Sequence, residues 1–328
     1  MKPYLQNLTR LFCVLLFMLC GCNTQPGIWK NEKIEPEKRN EFHDRNNHAL
    51  ELMKSGSFKL LTLMMSKNLR ENHYAEKVAG RIGNFLNDHQ YHLHGEYYCV
   101  NNHPGDNDIK ITNEGINNRE FQFNVDEKET YFAFYLPENI ANQDIITLVF
   151  SKFGYGWKLS DISIEPYRIN GKTGPELFES AKAAYHKGFL IDAVNDAALA
   201  NTCINPANFW HYACDADLKS FYSKTGKMAD DQYPTPLMID LLPTRPRIVG
   251  VFLKTTEKGA FPLVYYLSSV KLEDTTAIKK ENKQLRKAID KVMPGLNQDK
   301  KFVYYAAFNQ MPSSEKEVDR FDMIDTLR

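Results

Sequence analysis

The hydrophobic pattern of this 328-residue chain changes its period near residue 90, and this change constrains the fold more than any other feature. The clearest helical stripe before it is Tyr74, Val78, Ile82, Phe85 and Leu86. The clearest alternation after it is Phe132, Phe134 and Leu136. Because helices that precede antiparallel strands are typical of α+β domains, residues 42–170 are predicted to form a curled antiparallel sheet with its apolar face on the helices.

A short helical segment is predicted over residues 171–228. The spacing of its small residues resembles that of a tetratricopeptide repeat, a pair of antiparallel helices that approach closely; these residues are Ala181, Gly188, Ala193 and Ala200. No second copy follows, so a single hairpin is expected to pack on its neighbours. Asn205 and Pro206 are predicted to begin a third helix that buries Trp210.

The last part of the chain, residues 229–328, is predicted to be a smaller ββαββ unit behind a proline-rich linker. Its helix, over residues 274–292, has one strongly basic face, made of Lys279, Lys280, Lys283, Arg286, Lys287 and Lys291. A solvated helix surface is the first interpretation of this face. A contact to acidic lipid headgroups or to an anionic cell-wall polymer is the second.

The first twenty-two residues are typical of a secretory signal. Residues 1–10 contain two basic residues and no acid, residues 11–19 are wholly apolar, and Leu19-Cys20-Gly21-Cys22 follows. An apolar run of nine residues is too short to span a membrane, for which about 20 are needed. The ending resembles the bacterial lipoprotein box, although Cys20 stands where Ala or Ser is usual.

This resemblance implies that residues 1–21 are a signal peptide and that Cys22 is lipid-modified as the first residue of the mature protein. The lipid bilayer, through acylated Cys22, would then be a partner, since stable anchoring needs two or more acyl chains. The residue after Cys22 is Asn23 and not Asp, which resembles the sorting pattern of lipoproteins sent to the outer membrane. Residues 22–41 are predicted to be a flexible tether. An ordinary cleaved signal and an uncleaved anchor are the alternatives.

Residues 42–170 resemble the cone-shaped nuclear-transport-factor-two-like superfamily, through helices followed by strands that close on Gly156-Trp157-Lys158-Leu159-Ser160-Asp161. The superfamily includes isomerases that use a carboxylate base inside the cone. The residue types available for such a site are Asp161, His94, Tyr97 and Tyr98. None lies in a catalytic motif, and Asp161 is expected at a solvated bulge, so no catalytic residue is predicted.

Two further motifs concern metals and disulfides. His92 and His94 share one face of a predicted strand and would begin a zinc site, but no spaced third ligand accompanies them, and Cys99 is expected on the opposite face. The sequence therefore predicts no metal and no cofactor. Cys203 and Cys214 leave two outcomes open, a disulfide in an oxidising envelope or two buried thiols.

The sequence predicts an envelope protein without evident catalytic chemistry. The 41 basic residues balance 41 acidic ones, which argues against a nucleic-acid partner. No nucleophile elbow, metalloprotease, phosphate-loop or dinucleotide motif is present. The leading hypothesis is a lipoprotein that binds a ligand or an envelope protein, with its body in the periplasm or at the cell surface. The alternatives are a small-molecule isomerase or hydrolase and a structural envelope lipoprotein.

Overall fold

A computed structural model describes residues 25–103, 108–109, 115–123, 127–313 and 315–327. It confirms the α+β class, with helices, a curled antiparallel sheet and two smaller sheets. The predicted signal peptide, residues 1–21, and Cys22 lie outside the described residues. Among the described helices, none is long and apolar enough to cross a membrane.

The α-helices described in the first half of the chain are α1 (Pro36–Lys54), α2 (Phe58–Met64), α3 (Lys67–Glu71) and α4 (Ala75–Asp88), and a short 3-10 helix, Asn31–Lys33, precedes them. Its strands are β1 (Gly27–Lys30), β2 (Tyr91–Val100), β3 (Asp108–Ile109), β4 (Arg119–Gln122), β5 (Glu129–Pro137), β6 (Gln143–Phe153), β7 (Gly156–Ile169) and β8 (Lys172–Thr173). The main sheet has the order β1-β2-β5-β6-β7-β8, and each of its neighbouring pairs is antiparallel.

The second half contains α5 (Gly174–His186), α6 (Leu190–Thr202), β9 (Trp210–Tyr212), α7 (Asp215–Gln232), β10 (Leu237–Met238), β11 (Arg247–Thr256), β12 (Gly259–Leu267), α8 (Thr275–Val292), β13 (Phe302–Phe308) and β14 (Arg320–Thr326). Strands β10 to β14 form a second sheet in chain order. Its β12 and β13 are parallel, because α8 makes the crossover between them. The predicted boundary at residue 228 falls inside α7, so the helical segment extends to Gln232.

The prediction of a flexible tether was wrong for residues 27–41. Gly27–Lys30 pair with the edge of β2, and α1 already begins at Pro36. Trp29 stacks on Tyr98 with ring centroids 5.5 Å apart. A four-residue strand has too little alternation to be recognised in sequence, and its stability depends on an edge that comes more than sixty residues later.

The sequence predicts a strand of the main sheet over residues 119–125 and a helix that begins at Asn205, and the structure corrects both predictions. β4 does not belong to the main sheet but pairs with β3 and β9 in a separate three-stranded sheet. The predicted helix at Asn205 is absent, and Trp210 lies in β9 instead, while α7 begins only at Asp215. Pairing of Trp210 with Phe121 of β4 decides this, because tertiary contacts outweigh weak local helix signals.

Both faces of the main sheet are covered. Tyr98 and its same-face neighbours pack against α1 to α4, whereas Tyr97 and Cys99 face a core shared with α5, α6 and β9. The helical segment therefore shares a core with the main sheet, as expected for a single hairpin. The C-terminal sheet and α8 form a third core.

Candidate functional site

A cleft of about 480 Å³ opens where the main sheet, the helical hairpin and the C-terminal sheet meet. Its volume lies in the range of small-molecule sites. Its apolar walls include Phe189, Leu253 and Phe261, and its polar floor is one face of α6. We call this feature the inter-segment cleft. No predicted site residue lies in it.

The cleft is closed on one side by Asn170, in the turn between β7 and β8. Its Oδ1 accepts a hydrogen bond from Ala260 N (2.8 Å) and its Nδ2 donates to Ala260 O (2.9 Å). Gly259 precedes this contact with φ of +133°, and a Cβ there would lie 2.3 Å from Asn170 Oδ1. Asn142 adds a third link, from its Nδ2 to Thr256 O (3.1 Å). These bonds fix the main sheet against the C-terminal sheet.

The floor of the cleft carries Asp192, Asn195 and Asp196. These residues lie three and four positions apart on α6, so they share one face of the helix. Phe189, immediately before α6, packs closely against Gly295, where an added Cβ would lie 2.3 Å from Phe189 Cγ. The helix therefore begins against the C-terminal unit, and this directs its polar face into the cleft.

One carboxylate of the floor forms an ion pair with the C-terminal unit. Lys300 Nζ donates to Asp192 Oδ2 at 2.7 Å, and also to the carbonyls of Gly295 (2.7 Å) and Gln298 (2.9 Å). These three bonds use the three protons of the ammonium group. The second oxygen of the carboxylate, Asp192 Oδ1, is buried without a hydrogen-bond partner among the described residues. The same is true of Asn195 Nδ2.

Both aspartates of the floor have raised pKa values. Burial raises the pKa of Asp192 to about 6, although the charge and hydrogen bond of Lys300 act in the opposite direction. Burial likewise raises the pKa of Asp196, against the attraction of Lys172 and Lys300. Lys172 itself donates to Ser180 Oγ at 2.8 Å. The cleft therefore offers one buried acceptor, one buried donor and a second acid that binds a proton more readily than usual.

The residues considered for an isomerase-like site are not brought together. Tyr97 and Tyr98 point to opposite faces of the main sheet. Asp161 does lie at a β-bulge of β7, as expected, but burial raises its pKa to about 6, so it is less solvated than predicted. The Tyr97 face is filled by aromatic rings, among them Phe121, Phe132, Phe134, Phe209 and Trp210.

The histidine pair is separated by a bulge of β2, between Leu93 and Gly95. His94 contacts Tyr167 at 5.8 Å between ring centroids, whereas the exposed His92 lies 3.9 Å from Glu138. The bulge changes the parity of the strand, so His94 contacts Tyr167, which belongs to the same core as Cys99, and the expectation of opposite faces was wrong. Within the described ranges, no group of three His, Cys, Asp or Glu side chains is placed to bind a metal.

A buried charge network that the sequence did not reveal lies under α1. Glu96, fully buried on β2, forms an ion pair with Arg39 and contacts His43 Nε2 at 3.0 Å. Tyr131 donates its hydroxyl to the same carboxylate at 2.7 Å, and Asn46 donates to that hydroxyl at 2.9 Å. Both carboxylate oxygens are satisfied, so this network pins α1 to the sheet.

The remaining predicted features are the two cysteines, Cys203 and Cys214, and the basic face of α8. Cys203 and Cys214 are both free thiols, and Cys203 is fully buried. The basic face of α8 borders an open groove beside β14. There Arg286 Nη1 lies 3.0 Å from Asp325 Oδ1 and its Nη2 donates to Ile324 O, so the groove has both positive and negative charge.

Comparisons with known proteins found no matching family model, no matching curated protein and no matching solved structure. The interpretation of the inter-segment cleft therefore depends on its own chemistry.

Proposed function

We propose that this protein is a lipid-anchored envelope protein whose body binds a small hydroxylated solute, of the size of a monosaccharide or disaccharide, in the inter-segment cleft. The observation that carries the proposal is the buried pair of unsatisfied groups on α6, the acceptor Asp192 Oδ1 and the donor Asn195 Nδ2. A buried polar group without a partner costs about 1–3 kcal/mol, so a ligand that completes both bonds gains this energy on binding.

A hydroxyl group fits this pair because it is both a donor and an acceptor. The two side chains are three residues apart on one helix face, which places both within reach of one ligand. The rings of Phe189 and Phe261 supply apolar surface, and Lys172, Lys187 and Lys258 supply further donors at the border of the cleft. Apolar walls with a few polar groups are typical of small-molecule sites.

The anchor is proposed from the resemblance of Leu19-Cys20-Gly21-Cys22 to the lipoprotein box. Acylated Cys22 would attach the chain to a bilayer, the outer membrane in preference to the inner. β1 begins at Gly27, so only a few residues would separate the lipid from the folded body.

Binding is tested with the detergent-solubilised protein by calorimetric titration of glucose, N-acetylglucosamine and their disaccharides. We expect saturable binding of at least one sugar and a loss of at least tenfold in affinity for Asn195→Ala. Asn47→Ala, at an exposed position of α1, is the matched control and should bind like the native chain. Absence of binding throughout the panel, or equal affinity of Asn195→Ala, would contradict the proposal.

The anchor is tested separately in a bacterium that expresses the full chain. Labelled palmitate should be incorporated into the native protein and not into Cys22→Ser, and the native protein should fractionate with membranes. A Cys22→Ser variant that matures and fractionates like the native protein would refute lipidation. Neither result bears on the sugar titration, so anchor and cleft can fail independently.

A further inference from the structure

A second polar cluster, which shares no residue with the inter-segment cleft, lies on the Tyr97 face of the main sheet. Three cationic or titratable side chains, His94 of β2, Arg119 of β4 and Arg168 of β7, are linked there through two neighbouring rings. His94 and Arg168 both contact the ring of Tyr167, which lies 5.8 Å from the ring of Trp210, and Arg119 contacts Trp210. We call these three side chains the arginine–histidine cluster. They lie among aromatic rings, those of Tyr97, Tyr167 and Trp210.

Arg119 is held rigidly but is left with an unused donor. Its guanidinium carbon lies 4.0 Å from the centroid of the Trp210 ring, and its Nη2 donates to Tyr97 OH at 3.1 Å. Its Nε is buried without an acceptor in the described part of the chain. A fixed guanidinium loses little conformational entropy when it binds an anion.

Arg168 repeats this arrangement. Its Nη1 donates to Gln143 Oε1 at 3.2 Å, its guanidinium carbon lies 5.2 Å from the Tyr167 ring centroid, and its Nε is buried and unpaired within the described ranges. Burial disfavours the charged form of Glu176, yet its pKa is lowered, by hydrogen bonds from Thr173 and then by the charge of Arg168. That carboxylate is already used as the acceptor of the Thr173 cap.

The lowered pKa of His94 indicates that the electrostatic potential around it is positive. Burial lowers its pKa to about 4, and the charges that add to this effect are all positive: Arg168, Arg119, His92 and Lys30. His94 is itself exposed, so a solute can approach this side of the cluster from solvent. The cluster thus combines excess positive charge, buried donors without acceptors and an open side.

We propose that the arginine–histidine cluster binds an oxyanion of the phosphate-monoester class. Such a group carries two negative charges and three acceptor oxygens, whereas the Nε donors of Arg119 and Arg168 have no acceptor among the described residues. The planar guanidinium group also has the geometry to donate two parallel hydrogen bonds to a phosphate. A neutral solute would not balance the positive charges of Arg119 and Arg168. The phosphate could belong to a soluble ester or to a lipid headgroup, and the two sources share this chemistry.

The first experiment is a histidine NMR titration of the full-length protein with inorganic phosphate, at constant ionic strength set with chloride. Bound phosphate should raise the pKa of His94 towards its ordinary value, because a nearby anion favours the imidazolium form. The exposed His73 is the internal control, and its ring resonances at a given pH should not depend on phosphate. An unchanged His94 titration at saturating phosphate would overturn the proposal.

The second experiment uses variants. Arg168→Gln should weaken phosphate binding at least tenfold, and Arg168→Lys should restore part of the affinity, because charge is kept while the planar fork is lost. Arg247→Gln changes an exposed arginine of β11 and should leave binding unchanged. Equal affinity of Arg168→Gln and the native protein would overturn the proposal, even if Arg119→Gln fails to fold.

The source of the phosphate is resolved by comparing two probes, glucose 6-phosphate in solution and phosphatidylcholine vesicles that contain phosphatidic acid. Stronger, Arg168-dependent binding to the soluble ester assigns a soluble ligand. Stronger, Arg168-dependent binding to the vesicles assigns a lipid headgroup. Binding of neither probe would overturn the proposal.

Discussion

The side chain of Asn170 forms two hydrogen bonds with the backbone of one residue, Ala260, as a neighbouring strand would. Nδ2 donates to Ala260 O at 2.9 Å, and Oδ1 accepts from Ala260 N at 2.8 Å. This contact joins residues ninety positions apart and fixes one wall of the inter-segment cleft. It explains why a glycine precedes Ala260, since any side chain at Gly259 would displace the Asn170 amide.

Replacement of Asn170 should loosen the junction between the two sheets. Asn170→Ala removes both hydrogen bonds and leaves backbone groups of Ala260 unpaired, so we expect a loss of about 1–3 kcal/mol in the free energy of unfolding. Urea denaturation measures it. Asn47→Ala, on the exposed face of α1, should change stability by less than about 0.5 kcal/mol. If both variants unfold alike, the Asn170 contact does not hold the junction.

Glu96→Gln should be strongly destabilising. The carboxylate is fully buried between Arg39, His43 and Tyr131, so its neutralisation leaves Arg39 without its buried counter-charge. Removal of one partner from a buried pair typically costs about 3–5 kcal/mol, and the partial exposure of Arg39 favours the lower end. Urea denaturation of Glu71→Gln, whose side chain is 66% exposed, provides the control. A loss as small as that of the control would argue against a structural role for Glu96.

Asp161→Asn should stabilise the protein at neutral pH. Burial raises the pKa of Asp161 from 3.8 to about 6, so the folded state binds more protons than the unfolded state between these values. The contribution of this group to stability is complete below about pH 4 and is lost as the pH rises through 6. At pH 7 the ionised group costs at most about 2–3 kcal/mol, which the amide avoids while still accepting from Ile162 N.

The check for Asp161→Asn is a series of thermal or urea unfolding measurements from pH 4 to pH 7. The gain should be small at pH 4 and largest at pH 7. Asp230→Asn, at an exposed position of α7, should parallel the native curve. A uniform offset at all pH values would show that the pKa of Asp161 is not the cause.

Lys300→Met should make Asp192 a weaker acid. Lys300 supplies the positive charge and the hydrogen bond that oppose burial, so without it the pKa of Asp192 should rise above its native value of about 6. Carboxyl-carbon NMR of labelled protein measures this pKa. Lys227→Met, an exposed lysine of α7, is the control. An unchanged pKa would mean that the ion pair does not form in solution.

Cys99, Cys203 and Cys214 should each react as a thiol when the protein is denatured without reductant. Cys99, Cys203 and Cys214 are free, and burial raises the pKa of Cys203 to about 12, which suppresses its thiolate. Before denaturation, Cys99 and Cys203 should be unreactive because both are fully buried. A single reactive thiol after denaturation would instead show that two of these three cysteines form a disulfide.

The elements with long, regular patterns were predictable from sequence. The stripe from Tyr74 to Leu86 lies in α4, the alternation around Phe132 lies in β5, and the order of strands and helix after residue 246 is as expected. β1 and β9, of four and three residues, were not, because they have too few residues for a period to appear. β1 and β9 form only because β2 and β4 offer them backbone partners.

The candidate sites were less predictable than the fold. Asp192 and Asn195 lie in an ordinary helical sequence, and nothing local distinguishes them from a solvated polar face. The buried position of Glu96 was not predictable either, since its charge partner Arg39 and its contact His43 lie on α1, more than fifty residues earlier. Arg119 and Arg168 do not form a recognisable motif, because arginines that cluster in space need no particular spacing in the sequence.

The sequence by itself determined the α+β class. The spacing of apolar residues along each segment decides whether a helix or a strand can bury them on one face, and this holds for any arrangement of the segments. The sequence also supplied the prediction of a lipid anchor at Cys22, a short linear motif that lies outside the described residues. Only the tertiary structure decided which polar side chains are buried without partners. That depends on where distant segments such as Asn170 and Ala260 meet, and a polar residue in sequence does not reveal whether water will reach it.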